Sequence, residues 1–225
     1  MNRKAEIIST LDALSGKYSK YEVYSDWIRC MALAISNAGT LLRDKTWKDR
    51  EKAYLDTMAR YSEKEQEKIF EMTAYLIDTL EEGPDDVLGD VYMKADMGSK
   101  STGQFFTPFH LSLLNARIGM TQQIDDYRSE KIREIRINEP ACGGGAMIIA
   151  AAKILKDEGI NYQKAMNVVA QDLDWKGVYM CYVQLSLLGI KAICVQGDTL
   201  ADPYIQGRTP REHILITPAK RGMLL

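Results

Sequence analysis

The 225-residue sequence has few metal ligands and no long apolar run. It contains four cysteines and two histidines, and no pair of cysteines has the C-x-x-C spacing that indicates a zinc site. The longest weakly polar run, Ala146–Ala152, is too short to span a membrane, and the first ten residues lack the apolar core of a signal peptide. These absences predict a cytoplasmic protein without a metal site or disulfides. Three cysteines are then interpreted as small buried side chains, and Cys142 lies in a glycine-rich stretch.

Net charge gives little indication of a partner. The formal net charge is −2, with 27% charged and 46% hydrophobic residues, which is typical of a globular protein. This balance does not point to a polyanion, although a local basic face can exist within a chain of near-zero net charge.

The first part of the chain, residues 1–84, has the pattern of helices. Apolar residues recur at helical spacing, as in Ile7, Leu11 and Leu14. Ser62 and Glu65 have the spacing of a capping box, and Gly83-Pro84 marks the end of the helix that follows. We therefore predict a helical N-terminal region over 1–84.

The second part, residues 85–225, alternates between strand and helix patterns. The strands are expected at "KIREIRIN", "AMNVVAQD", "KAICVQGD" and "EHILIT", and helices at "AMIIAAAKILKDEG" and "WKGVYMCYVQLSLLG". Such alternation predicts an α/β domain with about four parallel strands joined by right-handed crossovers. Ligands of these sheets bind beyond the carboxyl ends of the strands, where the strand order reverses.

A glycine cluster, "EPACGGGAM", follows the first predicted strand. It is not a Walker phosphate loop, because Gly145 is followed by Ala146-Met147 and not by Lys-Ser/Thr. A dinucleotide fingerprint is weakly matched, since Ile148 takes the place of the third glycine. A turn that only permits close packing of helix and strand stays open as an alternative.

Acidic residues follow three successive predicted strands. Glu139, Asp172 and Asp198 are expected to face one crevice, with Asp172 placed to accept from ribose hydroxyls and Asp198 from an adenine amine. Negative charge beside the glycines disfavours a diphosphate and favours a nucleoside with a neutral or positive tail. Turn or cap roles for the acids, and a magnesium site, are the alternatives.

Three stretches together resemble a known family. "NEPACGGGAM", the segment "GQFFTP" at 103–108, and the approach "DVLGDVYMKADMGSKSTGQFFTP" resemble the adenine-specific DNA methyltransferases, most closely the modification subunits of type I restriction systems. The resemblance covers about residues 1–218 and is strongest over 86–200. It implies a partial Rossmann-like, S-adenosylmethionine-dependent methyltransferase domain over 85–225.

The resemblance implies S-adenosylmethionine as cofactor and assigns ten residues to it. They are Phe106, Thr107 and Pro108 for the methionine end, Glu139, Ala141, Gly143 and Gly145 for the loop, Asp172 for the ribose, and Asp198 and Leu200 for the adenine ring. Cys142 would then be a small loop residue and not a nucleophile.

The sequence departs from the family where the acceptor base is held. The family has Asn-Pro-Pro-aromatic after the fourth strand, and this chain has Thr217, Pro218, Ala219 and Lys220. Threonine cannot copy an amide carbonyl, and lysine lacks the π face whose stacking is worth about 1–3 kcal/mol per base. No catalytic residue is therefore assigned, and the sequence leaves enzymatic activity open.

The function implied by the resemblance is that of an S-adenosylmethionine-binding protein in DNA adenine methylation of the restriction-modification type. The alternative is an inactive relative, or one piece of a split enzyme, that serves as a cofactor-binding, regulatory or assembly subunit. The family sheet has seven strands, so we expect the edge of the fourth strand to be covered by the N-terminal helices or in a homo- or hetero-oligomer. DNA would be contacted through a partner subunit. A small-molecule methyltransferase is less consistent with the Phe-Thr-Pro segment.

Overall fold

The structure, a computed structural model, describes residues 2–95, 97 and 106–223. Residues 103–105 of the predicted "GQFFTP" segment lie outside the described residues, so the structure bears only on Phe106, Thr107 and Pro108 of that segment.

Five helices occupy the N-terminal part: α1 (Arg3–Leu14), α2 (Lys20–Ala38), α3 (Lys45–Met58), α4 (Glu63–Glu81) and α5 (Val87–Lys94). The predicted capping box is confirmed at the start of α4, where the Glu65 carboxylate accepts hydrogen bonds from the Ser62 backbone N–H (2.7 Å) and hydroxyl (2.8 Å). Helix α4 ends two residues before Gly83, as the sequence indicates.

The remaining elements alternate between helix and strand: α6 (Phe109–Gly119), α7 (Thr121–Arg128), β1 (Ile135–Glu139), α8 (Ala146–Asp157), α9 (Tyr162–Ala165), β2 (Met166–Asp172), α10 (Trp175–Leu187), β3 (Ala192–Gln196) and β4 (Ile214–Ile216). Two short 3₁₀ helices, Arg211–His213 and Pro218–Arg221, flank β4. The α/β class predicted from the sequence is confirmed.

The sheet has the strand order β1-β2-β3-β4. Strands β1, β2 and β3 are parallel, but β4 runs antiparallel to β3, with Leu215 opposite Cys194. The prediction of four parallel strands is therefore wrong for the fourth. A parallel return needs a crossover, usually a helix, whereas residues 197–213 contain only turns and one 3₁₀ helix, and the chain doubles back.

The two faces of the sheet differ in burial. Side chains such as Val168, Cys194 and Leu215 are buried on the face covered by α8 and α10. On the opposite face, Ile193 and Ile214 are only half-buried. The structured part of the chain contains no strand paired with the outer edge of β1 or of β4, and the covering of an edge by a partner stays a prediction.

The N-terminal helices are packed onto the α/β part. Helix α2 lies against α10, α1 lies against α4 and α5, and one continuous apolar core extends from α1 to β4. The division into regions 1–84 and 85–225 stays a prediction. No helix among residues 2–95 and 106–223 is both long and apolar enough to cross a membrane.

Candidate cofactor site at the glycine-rich loop

The loop between β1 and α8 turns sharply at two glycines. Gly143 (φ +48°) and Gly145 (φ +94°) adopt the left-handed conformation that other residues rarely take. A Cβ atom on Gly143 would lie 3.0 Å from the ring of Phe106, and one on Gly145 would lie 3.2 Å from Cys181 Sγ. Both the conformation and the space therefore require glycine.

The loop is bonded to the carboxyl end of β2. Cys142 N donates to the Gln171 carbonyl (2.9 Å), and Gly143 N donates to Asp172 Oδ2 (2.7 Å). Asp172 Oδ1 accepts from Asp174 N (3.0 Å). Each carboxylate oxygen can accept more than one hydrogen bond, so Asp172 can hold the loop and still accept from a ligand.

The three acids at the strand ends are not equivalent. Glu139 is half-buried and accepts from Ala141 N (3.3 Å); burial raises the pKa of its carboxyl, and the negative charge of Asp172 adds to the shift. Asp198 lies at the same edge but is exposed, and its Oδ1 accepts from Leu200 N (2.9 Å) as in a turn cap. The structure thus places Glu139 close to Asp172, while the Asp198 carboxylate caps the turn that follows β3.

Two of the residues assigned to the cofactor, Leu200 for the adenine ring and Ala141 in the loop, are exposed to solvent. Leu200 is 97% exposed, and Ala141 is exposed at the tip of the loop. The Thr199 hydroxyl donates to the Pro140 carbonyl (2.7 Å), which joins the turn after β3 to the loop after β1. The strand ends therefore form one continuous rim.

Phe106, Thr107 and Pro108 immediately precede α6, and Phe106 lies against the glycine loop. The Phe106 ring packs edge-on against Tyr92, with centroids 5.0 Å apart, and faces Gly143. Beyond it lies a cavity of about 360 Å³ lined by Phe106, Thr107, Pro108 and Asp86. Phe106 thus both contacts the glycine loop and lines this cavity.

Cys142 is suited to packing and not to nucleophilic attack. It is 6% exposed, and contact with the Cys181 thiol, together with burial, raises the pKa of its thiol well above the ordinary value. All four cysteines are free thiols and buried, in agreement with the sequence interpretation.

The segment 217–220 lies at the opposite end of the sheet from the glycine loop, because β4 runs antiparallel. Thr217 is fully buried; its hydroxyl donates to the Ile190 carbonyl (2.7 Å) and accepts from Ala192 N (2.9 Å), both at the start of β3. Lys220 Nζ donates to Asn167 Oδ1 (2.8 Å), near the start of β2. Thr217 and Lys220 thus form hydrogen bonds that join β4 and the helix after it to the starts of β3 and β2, and they do not face the glycine loop.

Sequence reasoning missed a buried polar network behind the loop. Gln184 Nε2 donates to Asp86 Oδ1 (2.9 Å) and to the Gly144 carbonyl (2.8 Å), and Gln184 Oε1 accepts from Leu88 N (3.0 Å). Burial raises the pKa of Asp86, which also accepts from Gly89 N (3.1 Å). The signal was present in α10, where one glutamine interrupts the apolar run "MCYVQLSLL".

These features define a class of protein. A glycine turn after the first strand, closed onto a carboxylate at the end of the second, is typical of α/β proteins that bind a nucleoside cofactor. Residues 83–219, more than half of the chain, match the family model described as N-6 DNA Methylase. The chain belongs to the N-6 DNA methylase family.

Two individual proteins are similar over part of their length. The methylase subunit of the type I restriction enzyme MpnII from Mycoplasma pneumoniae is 31% identical over 109 residues, which is 45% of this chain and 18% of that protein. The chain thus matches less than a fifth of that relative. A solved protein from Listeria monocytogenes, described as a class I S-adenosylmethionine-dependent methyltransferase, has 14% identity and a TM-score of 0.48, covering 90% of this chain and 55% of its own. That likeness is too weak to bear on function.

Proposed function

We propose that this chain binds S-adenosylmethionine at the crevice beside the glycine loop and takes part in DNA adenine methylation of the restriction-modification type. The observation that carries the proposal is the Gly143–Asp172 hydrogen bond (2.7 Å), which holds the glycine turn against a strand-end carboxylate in a chain of the N-6 DNA methylase family. The turn leaves backbone close to the space where a nucleoside would lie.

The residues around the loop fit this cofactor. A Cβ atom on Gly177 would lie 3.3 Å from Gly143 Cα and 3.4 Å from Asp172 Cγ, so a third glycine lets α10 pack closely against the loop and the end of β2. The paired acids Glu139 and Asp172 suit a ligand with a positive sulfonium and repel a diphosphate.

In the proposed complex, Asp172 holds the ribose, with Glu139, Ala141, Gly143 and Gly145 around it. Asp198 and Leu200 lie by the adenine ring, and Phe106, Thr107 and Pro108 lie by the methionine end. The bound cofactor supplies an activated methyl group, and the protein positions it.

The acceptor adenine is held elsewhere than at 217–220. The Thr217 hydroxyl is hydrogen-bonded to the backbone of Ile190 and Ala192 at the start of β3. Because this is the end of the sheet opposite the glycine loop, Thr217 cannot orient an amine beside the loop. Methyl transfer depends mainly on positioning. We therefore propose that a partner subunit supplies the acceptor pocket and the DNA contacts, within the cytoplasm.

Equilibrium dialysis with methyl-labelled S-adenosylmethionine tests the cofactor assignment. We expect saturable binding that unlabelled S-adenosylhomocysteine displaces, while ATP and NAD at the same concentration leave it unchanged. Displacement by ATP or NAD would mean that the loop accepts phosphates, and absence of binding would refute the assignment.

A methyl-transfer assay on unmethylated DNA separates the main function from its alternative. We expect no transfer by the chain alone and transfer in the presence of a partner subunit from the same restriction-modification system. Transfer by the chain alone would show that our account of 217–220 is wrong. Cofactor binding without transfer under any pairing would favour a regulatory or assembly role.

A further inference from the structure

Three arginines meet around two tyrosines of α10, outside the proposed cofactor site. Arg29 belongs to α2, Arg50 to α3 and Arg221 to the 3₁₀ helix after β4. Helix α2 packs against both α3 and α10, and a Cβ atom on Gly39, the residue after α2, would lie 3.7 Å from Arg221 Cδ. Arg29 and Arg221 are exposed, and Arg50 is half-buried. We call Arg29, Arg50 and Arg221 the arginine cluster.

The two tyrosines beside the arginine cluster are neutral. Burial raises the pKa of the Tyr179 phenol, against the nearby positive charges of Arg29 and Arg50. Burial also raises the pKa of Tyr182 to about 12, against the positive charge of Arg221. Both phenols therefore keep their protons at neutral pH, and neither offsets the charge of the arginines.

The arginine cluster lacks a counter-charge. Among the residues that the structure describes, no carboxylate forms an ion pair with any of its three members. Asp26 lies one turn from Arg29 on α2 but pairs with Arg60 (2.7 Å). Asp44 acts on Arg50 from the start of α3, but its side chain caps that helix. Acids are not scarce in the chain, which has 31 acidic and 29 basic residues, so the cluster is a local feature of the fold.

The positive charges of the arginine cluster act on one another. Burial lowers the pKa of the Arg50 guanidinium, and the positive charge of Arg221 lowers it further. Arginine nevertheless stays protonated in proteins, so the repulsion persists until an anion binds. Arg221 Nε donates to the Ile216 carbonyl (3.2 Å), which leaves its terminal guanidinium nitrogens to meet a ligand. Guanidinium groups match the geometry of phosphate oxygens, so the cluster favours a phosphate.

The surroundings of the arginine cluster suit an extended ligand. Its members come from three separate elements, and two of them are exposed, so a polymer that carries several phosphates can meet all three. Half-buried aromatic rings adjoin the charges, because Trp175 stacks on Tyr179 with centroids 5.0 Å apart. Basic side chains interleaved with aromatic rings are typical of surfaces that bind nucleic acids.

We propose that the arginine cluster binds the phosphodiester backbone of DNA, as a contact made by this chain in addition to those of the partner subunit. The choice of DNA rests on the proposed function, and the inference deepens that function by naming a surface. Contacts with phosphates orient a duplex without reading its sequence. The surface formed by α2, α3 and α10 therefore holds DNA of any sequence.

Fluorescence anisotropy of a labelled duplex, titrated with the full chain without cofactor, tests this assignment. Non-specific binding of this kind has a dissociation constant of about 10⁻⁴–10⁻⁶ M, and each neutralised phosphate adds about 0.9 to the salt dependence of the logarithm of the affinity. For the double variant Arg29→Gln/Arg221→Gln we expect binding that is at least about tenfold weaker and a salt slope that is smaller by about 2.

Two further variants separate charge from fold and position. The double variant Arg29→Lys/Arg221→Lys should retain affinity within about threefold, because a phosphate also accepts from an ammonium group. The matched control is Arg117→Gln/Arg133→Gln, which removes two exposed arginines from α6 and from the loop before β1. Strand β1 is the edge of the sheet opposite β4, so this control should bind DNA within about twofold of the unmodified protein.

Four results would overturn the inference. They are absence of DNA binding by the unmodified chain, an equal loss of affinity in the control, an equal loss in the lysine variant, and displacement of the duplex by polyglutamate at the same concentration of charge. The last would indicate an acidic protein as the partner of the cluster. The cofactor assignment is tested separately by equilibrium dialysis, so DNA binding without cofactor binding would refute that assignment and leave the arginine cluster as a DNA contact.

Discussion

Replacing Gln184 with leucine should cost more stability than its position in an apolar helix suggests. The side chain makes three hydrogen bonds: two donated by Nε2 to Asp86 and to the Gly144 carbonyl, and one accepted from Leu88 N. Leucine has a similar volume, so the cavity left behind is small. The substitution leaves the Gly144 carbonyl and the Leu88 N–H without the Gln184 side chain as a partner, and it removes one donor to the buried Asp86 carboxylate.

The magnitude follows from the buried groups left unpaired. Each buried polar group without a partner costs about 1–3 kcal/mol, and a buried carboxylate costs more, so we expect Gln184→Leu to lower the free energy of unfolding by about 3–5 kcal/mol. Urea unfolding followed by circular dichroism measures this. Gln122→Leu on α7 is the control, because Gln122 is exposed and its amide donates to Asp126 one turn away on the same helix; it should change stability by no more than about 0.5 kcal/mol. A loss below about 1 kcal/mol for Gln184→Leu would refute the claim that this network holds the loop.

Two further predictions concern the loop and the network. Gly145→Ala should cost more stability in urea unfolding than Gly159→Ala. Both glycines have positive φ (+94° and +72°), but a methyl group on Gly145 would meet three atoms of Cys181 within 4 Å, the nearest being Sγ at 3.2 Å, whereas one on Gly159 would meet no described atom. Equal costs would show that packing against Cys181 is unimportant. Burial raises the pKa of Asp86 in the folded state above its ordinary value of 3.8, so between these two values the folded protein binds a proton that the unfolded chain releases. Stability contributed by Asp86 should therefore fall as the pH rises through that window, and Asp86→Asn should lack this component in unfolding measurements compared with the unmodified protein; a difference between the two proteins that does not change with pH would contradict it.

The glycine loop was predictable from the sequence because its chemistry is local. Gly143 and Gly145 were singled out next to a predicted strand end, and both adopt the left-handed conformation that only glycine takes readily. Asp172 follows a short apolar strand, and parallel neighbours place such strand ends at one edge. Spacing alone was sufficient for these features.

The direction of β4 was not predictable from its own residues. An apolar run such as "HILIT" pairs equally well in either direction, and the choice depends on the connection from 197 to 213 and on where the sheet has a free edge. The antiparallel direction of β4 also places Thr217 at the end of the sheet opposite the glycine loop. The network around Gln184 also depends on contacts between residues almost a hundred positions apart, which no local pattern contains.

Titration calorimetry with S-adenosylhomocysteine measures whether the turn closed on Asp172 holds the cofactor. We expect binding to the unmodified protein that weakens by about 10- to 100-fold in Asp172→Ala, since a carboxylate hydrogen bond is worth about 1.5–3 kcal/mol. Asp202→Ala removes an exposed acid whose backbone carbonyl accepts from Gln171 Nε2 (2.9 Å) at the end of β2, and it should leave the affinity unchanged in a protein that is equally folded. Equal affinity in Asp172→Ala and the unmodified protein, or no binding to either, would show that this turn does not hold the cofactor.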